Sequence, residues 1–181
     1  MKIITLTLFT FLIATHFTIA QEGANEEEEQ EGKNRIAFVL EATFVPEGSS
    51  TEHSEESNDD SKGTVVPTIG LEYTRTLSNH WDVGFSAEVE LESYIIVDEQ
   101  LNRENPLILV AFAIYRIIGS WFIYGGAGVE LEKHKNLAVL RLGTEYEFSL
   151  SNGWDIAPTL TFDHKIDLNS IALGVSVGKR F

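Results

Sequence analysis

The chain has 181 residues, enough for one domain, and carries 28 acidic against 13 basic residues for a net charge of -15. This balance excludes a typical nucleic-acid-binding protein, which needs clustered Lys and Arg to displace counterions from phosphates. The absence of cysteine excludes a disulfide scaffold, a thiol nucleophile and a cysteine-ligated metal.

The first 20 residues are typical of a secretory signal peptide. Lys2 gives the positive start, residues 3–17 form an apolar stretch, and Ala20 is a small residue suited to cleavage before Gln21. The alternative is an N-terminal membrane anchor, but the apolar stretch is shorter than the roughly 20 residues that a spanning helix needs. We therefore expect residues 1–20 to be removed on export.

Acidic residues are concentrated near the start, where thirteen of them lie between Glu22 and Asp60. Residues 21–34 contain almost no apolar side chain, which predicts a disordered acidic linker. Residues 46–62 predict a long polar loop. This acidic loop is the best candidate surface for a partner or for divalent cations.

From residue 35 onward, apolar and polar residues alternate with period two, which indicates strands with two unlike faces. The clearest case is 81–97, where Trp81, Val83 and Phe85 begin an apolar face and Ser86 and Glu88 lie on the other. Most of the runs exceed the roughly 9–11 residues that a tilted strand needs to cross a bilayer. In chain order the runs cover residues 35–45, 63–77, 81–97, 106–117, 121–132, 137–149, 154–165 and 170–181.

The connections alternate in length. Those at 78–80, 118–120 and 150–153 are tight, whereas 46–62 and 98–105 are longer and more polar. Short turns at one end and longer loops at the other are the layout of bacterial outer-membrane barrels. Residues 35–181 therefore predict an all-β, eight-stranded, antiparallel, up-and-down transmembrane β-barrel.

The three tryptophans favour a membrane barrel over a soluble one. Trp81, Trp121 and Trp154 each open a strand directly after a tight turn and belong to its apolar face, so they should form one ring outside the barrel. Tryptophan and tyrosine gather at membrane interfaces. The alternation alone would also suit a soluble lipocalin-type barrel with its apolar face inside, which remains an alternative.

Residues 35–181 resemble the small outer-membrane β-barrel family of OmpA-like and OmpX-like eight-stranded proteins. The most specific part is the last strand, which ends in Phe181 and resembles the family's signal for the barrel-assembly machinery. Lys179 departs from that pattern, since an apolar residue is expected there, but it could snorkel to the interface. The resemblance implies residence in the outer membrane among its lipids. Because the chain stops at Phe181, we expect no periplasmic peptidoglycan-binding domain.

If the apolar faces meet lipid, the polar faces meet inside the barrel, where acids should outnumber bases. We expect a structural ionic network there, with Arg141 diagonal to Glu130 and Glu72 near Glu88. A divalent-cation site or an ion-conducting path is the alternative, and no metal ligand is assigned. The predicted interior contains Glu41, Glu72, Glu88, Glu90, Glu92, Glu130, Glu132, Glu145, Glu147 and Asp163, with Arg35, Arg141, Lys165 and Arg180.

Catalysis has little support, and we predict no enzyme, no catalytic residue and no cofactor. Of the histidines after the leader, His53, His80 and His134 lie in loops or turns, and only His164 follows an acid directly. Strand parity directs Asp163 and His164 to opposite faces. No Gly-x-Ser-x-Gly or His-Glu-x-x-His motif occurs.

Two features fit less well with this prediction. Pro67 and Pro158 fall inside predicted strands, where each removes a ladder hydrogen bond. The fourth run, 106–117, is apolar on both faces, so one face packs inside the barrel or against a partner subunit. The glycines at 125, 126 and 128 should relieve crowding inside the barrel or ease bending.

The sequence therefore predicts a non-enzymatic outer-membrane barrel with a structural or surface-interaction role through its loops. A narrow pore is the first alternative. A membrane-embedded hydrolase and a soluble lipocalin-type binding barrel are the others. No nucleic-acid partner is expected.

Overall fold

The computed structural model describes residues 32–45, 49–51, 63–92, 94–96, 101–133, 135–166 and 168–181. The predicted signal peptide, nearly all of the acidic linker and most of the acidic loop 46–62 lie outside these residues, as do His53 and His134. Among the described residues, no helix is long and apolar enough to cross a membrane.

Eight long strands form the body of the molecule. They are β1 Asn34–Val45, β2 Thr64–Thr76, β3 Trp81–Glu90, β4 Leu107–Ile118, β5 Trp121–Leu131, β6 Leu137–Tyr146, β7 Trp154–Lys165 and β8 Leu168–Arg180. Each pairs antiparallel with its neighbours in sequence, and β8 pairs with β1. The predicted eight-stranded up-and-down barrel is therefore confirmed.

Strands β1 and β8 close the barrel over ten residue pairs, from Arg35 opposite Arg180 to Phe44 opposite Ile171. Backbone bonds join Asn34 to Phe181 in both directions, at 3.1 and 2.9 Å. Closure leaves the eight-stranded sheet without an edge, which is what a bilayer requires, since unpaired backbone groups are costly in hydrocarbon.

The apolar faces point outward and the charged faces point inward. On β1, Ile36, Phe38 and Leu40 are exposed while Arg35 is buried, and on β3, Val83 and Phe85 are exposed while Glu88 is buried. The predicted orientation is confirmed. It is opposite to the lipocalin-type alternative, in which the apolar face would point inward.

Aromatic side chains form a ring at the end that carries the tight connections β2–β3, β4–β5 and β6–β7, which we call the turn end. Trp81, Trp121 and Trp154 are each about half exposed there, at 50%, 50% and 48%. Trp81 packs on Tyr115 with ring centroids 4.9 Å apart. Lys179 lies over the Trp154 ring and its ammonium donates to the Asn152 carbonyl, as expected for a snorkelling lysine.

The outward apolar band is close in height to that of outer-membrane barrels. From Trp154 to Phe162, β7 rises by about 3.3 Å per residue. With a strand tilt of roughly 40°, this stretch spans ~20 Å along the barrel axis, close to the roughly 25 Å band of outer-membrane barrels.

The third strand is shorter than predicted. Instead of running over 81–97, β3 ends at Glu90, and Leu91 and Glu92 are exposed and outside a strand. Residues Tyr94–Ile96 belong to a separate small sheet with Ser49–Thr51 and Leu101–Arg103, at the opposite end of the barrel, which we call the loop end. The alternation of apolar and polar residues continues through both sheets, so it does not show where the barrel strand ends.

Two turns have similar sequences, Leu77-Ser78-Asn79-His80-Trp81 and Leu150-Ser151-Asn152-Gly153-Trp154, but fold differently. In the first, the Ser78 hydroxyl accepts the backbone amides of His80 and Trp81, at 3.4 and 3.2 Å. In the second, Asn152 and Gly153 adopt the left-handed conformation, with φ of 60° and 71°. Asn152 therefore has a positive φ, whereas Asn79, at the matching position of the first turn, does not.

Pro67 and the glycines of β5 fit their surroundings. The Pro67 carbonyl accepts from Leu91 at 2.8 Å, so its missing N–H faces the same side, where the β2–β3 ladder ends. Gly126 points inward, and a Cβ there would lie 2.2 Å from the Ala111 carbonyl oxygen. The predicted role of this glycine in relieving interior crowding is confirmed.

Candidate functional site: the barrel interior

The interior of the barrel is crossed by ion pairs at several levels. In the described part of the chain, the buried bases are Arg35, Arg103, Arg141, Lys165 and Arg180, and the buried acids are Asp82, Glu88, Glu90, Glu130, Glu145, Glu147, Asp155 and Asp163. Glu41 and Glu72 are half-buried beside them. The predicted ionic interior with an acidic surplus is present.

Near the turn end, Arg35 on β1 collects partners from three strands. Its guanidinium donates to Asp155 at 2.6–3.0 Å, to Glu72 at 2.9 Å and to the Ser176 hydroxyl at 2.9 Å. Gly178 lies against the Arg35–Asp155 pair, and a Cβ there would be 2.4 Å from Arg35 Nε. At the same end, Arg180 donates to Glu147 at 2.6 Å.

At mid-height, Arg141 on β6 bridges the lumen. It donates to both oxygens of Glu88 on β3, which lies three strands away, and to both oxygens of Asp163 on β7 at 2.7–2.8 Å. Such bidentate pairing fixes a guanidinium plane. The bridge therefore ties nearly opposite walls together and blocks the lumen.

At the loop end, two further bases are fully buried. Lys165 on β7 contacts Glu90 on the opposite wall at 3.5 Å and pairs with Glu130 on β5. Arg103, from the small sheet, pairs with Glu130 and donates to the Lys135 carbonyl at 2.6 Å. An apolar cluster of Val45, Val66, Leu137 and Leu168 covers this end of the interior.

One wall of the interior is apolar. The inward face of β4, with Ile108, Val110, Phe112 and Ile114, packs with Phe122 and Val139. This resolves the ambiguity of the fourth strand, because its second apolar face is buried inside the barrel.

Most of the charged residues predicted to lie inside the barrel do lie there, but one is exposed and three interior residues were not predicted. Glu92 is exposed, because β3 ends before it. Arg103, Asp82 and Asp155 were missed. Arg103 lies in a predicted loop, and no sequence signal places it inside, whereas the parity of Asp82 and Asp155 would have placed both there.

The predicted pairing of Arg141 with Glu130 is wrong. Glu130, and not Glu132, lies opposite Leu137, so Arg141 faces Gly126. The cause is the β5–β6 loop, where the Asn136 side chain accepts the Glu132 amide at 3.1 Å and delays strand pairing by two residues. The predicted proximity of Glu72 to Glu88 holds, since Glu88 lies opposite Gly70.

The geometry assembles no hydrolytic centre around His164. Asp163 is buried against Arg141, whereas the His164 ring is exposed on the outer face and its Nδ1 lies 2.7 Å from the Asn169 amide oxygen. His80 stacks on Tyr115 at the turn end. Within the described residues, no group of three or more histidine or acidic side chains is placed to hold a metal ion.

An open groove lies at the loop end, lined by Glu104, Asn105, Leu131, Glu132, Lys133 and Asn136, with a volume of about 470 Å³. Lys133 donates to Glu104 at 2.9 Å. This hydrogen bond, together with the carboxylate charge, raises the pKa of Lys133 above its usual value.

Comparison with solved structures identifies small outer-membrane barrels. Ail, the attachment invasion locus protein of Yersinia pestis, aligns with a TM-score of 0.54 at 14% identity, covering 83% of this chain and 99% of that one. The N-terminal β-barrel domain of Pseudomonas aeruginosa OprF aligns at 0.55 and 9% identity, covering 83% and 100%. Neisserial surface protein A aligns at 0.52 and 10% identity, covering 82% and 97%. At such identities the likeness establishes the fold.

No protein-family model matches the chain, and no curated protein matches it.

Proposed function

Because the chain has the fold of the small eight-stranded outer-membrane barrels, we propose that it is a non-enzymatic barrel of the outer membrane that supports the envelope or binds partners through its loops. The observation that carries this proposal is the combination of an apolar outer surface, ringed by three half-exposed tryptophans, with an interior closed by ion pairs. Lipid accounts for the first feature, and a structural role accounts for the second.

The closed interior favours this role over a pore. The lumen is bridged at mid-height by Arg141 and Glu88 and near the loop end by Lys165 and Glu90. Between these levels lies a cavity of only about 10 Å³, which has room for roughly one water molecule. Conduction would require these pairs to separate.

The proposal includes export and assembly. The leader at residues 1–20 would direct secretion with cleavage before Gln21, and the C-terminal strand ending in Phe181 would be bound by the barrel-assembly machinery. The acidic loop 46–62 and the loop-end groove are the surfaces offered to a protein partner or divalent cations.

Membrane fractionation, electrophoresis of unheated and boiled detergent samples, and planar-bilayer recording test the proposal. We expect the protein to be recovered with outer membranes, to shift in electrophoretic mobility on boiling, and to begin at Gln21. In planar bilayers we expect no steady channel, with a porin measured in parallel as the positive control. A steady conductance would assign the chain to the pore class. Recovery from the soluble periplasm would contradict the membrane assignment.

A further inference from the structure

The barrel interior holds more carboxylates than its bases can neutralise. Among the described residues, eight buried acids face five buried bases, and Glu41 and Glu72 add to the acidic side. A buried carboxylate without a compensating charge is costly and tends to take up a proton. The excess of buried carboxylates therefore favours the binding of additional positive charge inside the barrel.

Part of the surplus lies around the cavity of about 10 Å³. Its charged lining consists of Glu41 on β1, Glu88 and Glu90 on β3, Arg141 on β6 and Asp163 on β7. Strands β2, β4 and β8 contribute only uncharged lining, namely Thr68, Ile108, Ser170 and Ala172. On the loop-end side, Lys165 pairs with both Glu90 and Glu130.

Arg141 carries a single positive charge and pairs with both Glu88 and Asp163, and Glu41 and Glu90 lie outside these pairs. The Glu41 carboxylate accepts hydrogen bonds from the Thr159 and Thr161 hydroxyls, at 3.2 and 3.4 Å. Glu90 has no exposed surface, and its Oε1 is 3.5 Å from the Lys165 ammonium, which Glu130 shares. Its Oε2 has no hydrogen-bond partner in the described part of the chain.

We propose that this cavity is a proton-binding site, in which the Glu41 carboxylate takes up one proton from solvent. The resulting carboxylic O–H donates to a single water that the cavity can hold, and the water donates to Oε2 of Glu90. A proton fits better than a metal ion, because the described acidic side chains form no group placed to hold one.

Proton binding makes barrel stability depend on pH. Between the ordinary glutamate pKa of about 4.3 and the pH at which the site loses its proton, the folded chain binds more protons than the unfolded chain. Stability contributed by this site is therefore fully present at acidic pH and falls as pH rises. For one proton, the folding equilibrium constant falls about tenfold per pH unit in this window.

Folding of the full mature chain from urea into detergent micelles at pH 7, in weakly buffered solution with a pH indicator, counts the protons taken up. We expect net uptake in the wild type, reduced by about one proton per chain in Glu41→Gln or Glu90→Gln. Glu104→Gln, a matched change at an exposed loop position, should leave the count unchanged. Glu145→Gln removes an acidic group near the turn end. Its proton count shows whether the proton is bound there and not in the cavity.

No net uptake, or a count unchanged in both cavity variants, would overturn the proposal, as would a decrease seen only in Glu145→Gln. If the cavity variants do not fold, the wild type decides the question. A folding equilibrium that is constant or strengthens from pH 6 to pH 9 would overturn the proposal.

Discussion

At the scale of single residues, a few guanidinium groups join carboxylates from different strands. Removing Arg141 leaves Glu88 and Asp163 buried without their partner. We expect Arg141→Ala to lower the free energy of unfolding by about 3–5 kcal/mol, measured by urea titration in micelles. The exposed Arg75, which donates to the Asn34 side chain at 3.3 Å, is the control. Its alanine variant should lose less than about 1 kcal/mol, and equal losses would refute the bridging role.

A second residue-scale prediction concerns the loop end. Glu104 raises the pKa of Lys133 by accepting its hydrogen bond. Glu104→Gln removes the charge, so we expect the Lys133 pKa to fall toward its usual value, as measured by NMR titration of the side-chain nitrogen. An unchanged pKa would show that the pair does not persist in solution.

Residue parity predicted which side chains enter the barrel, and loop geometry decided which of them meet. Arg35, Arg141, Lys165 and Arg180 were all placed correctly, since period two depends only on the strand itself. Arg141 meets Asp163 through the β6–β7 register, whereas the β5–β6 register, next to the loop where Asn136 bonds Glu132, places it opposite Gly126 and not near Glu130.

At the scale of strands, the close contact of β4 with β5 depends on Gly126. A Cβ at this inward position would lie 2.2 Å from the Ala111 oxygen and 2.6 Å from Phe112 Cβ. We expect Gly126→Ala to destabilise the barrel by about 1–3 kcal/mol in urea titrations. Gly125→Ala, on the outer face with its nearest contact at 3.2 Å to a Leu142 methyl, is the matched control. A larger loss in the control would contradict this account.

Strand positions were predictable because each strand keeps one face in lipid and the other in a charged interior. The ends were less predictable. The alternation continues past Glu90 into the small loop-end sheet, so the pattern of 81–97 reads as one strand although the barrel strand stops sooner. The two turns of similar sequence are another case in which the sequence does not determine the local structure. The Ser78 hydroxyl closes the first turn by accepting a backbone amide, whereas the second turn closes through the positive φ of Asn152.

At the scale of the whole molecule, the fold reverses the usual distribution of polarity. Leu142, Leu160 and Leu173 are exposed at 64%, 48% and 67%, whereas charged groups fill the centre. In water this surface would be a large aggregation hazard, and in a bilayer it is the favourable arrangement. Lipid contact is therefore the central claim of this account.

Site-directed spin labelling tests that claim most directly, because the chain has no cysteine of its own. Single cysteines replace Leu142, Leu160 and Leu173 on the outer face, and Lys133, 73% exposed at its side chain, on the loop end. In liposomes, we predict that labels at the three leucine positions collide with oxygen dissolved in lipid and are shielded from a water-soluble nickel complex, and that the label at Lys133 shows the reverse. Leucine-position labels that collide freely with the nickel complex would contradict the membrane assignment.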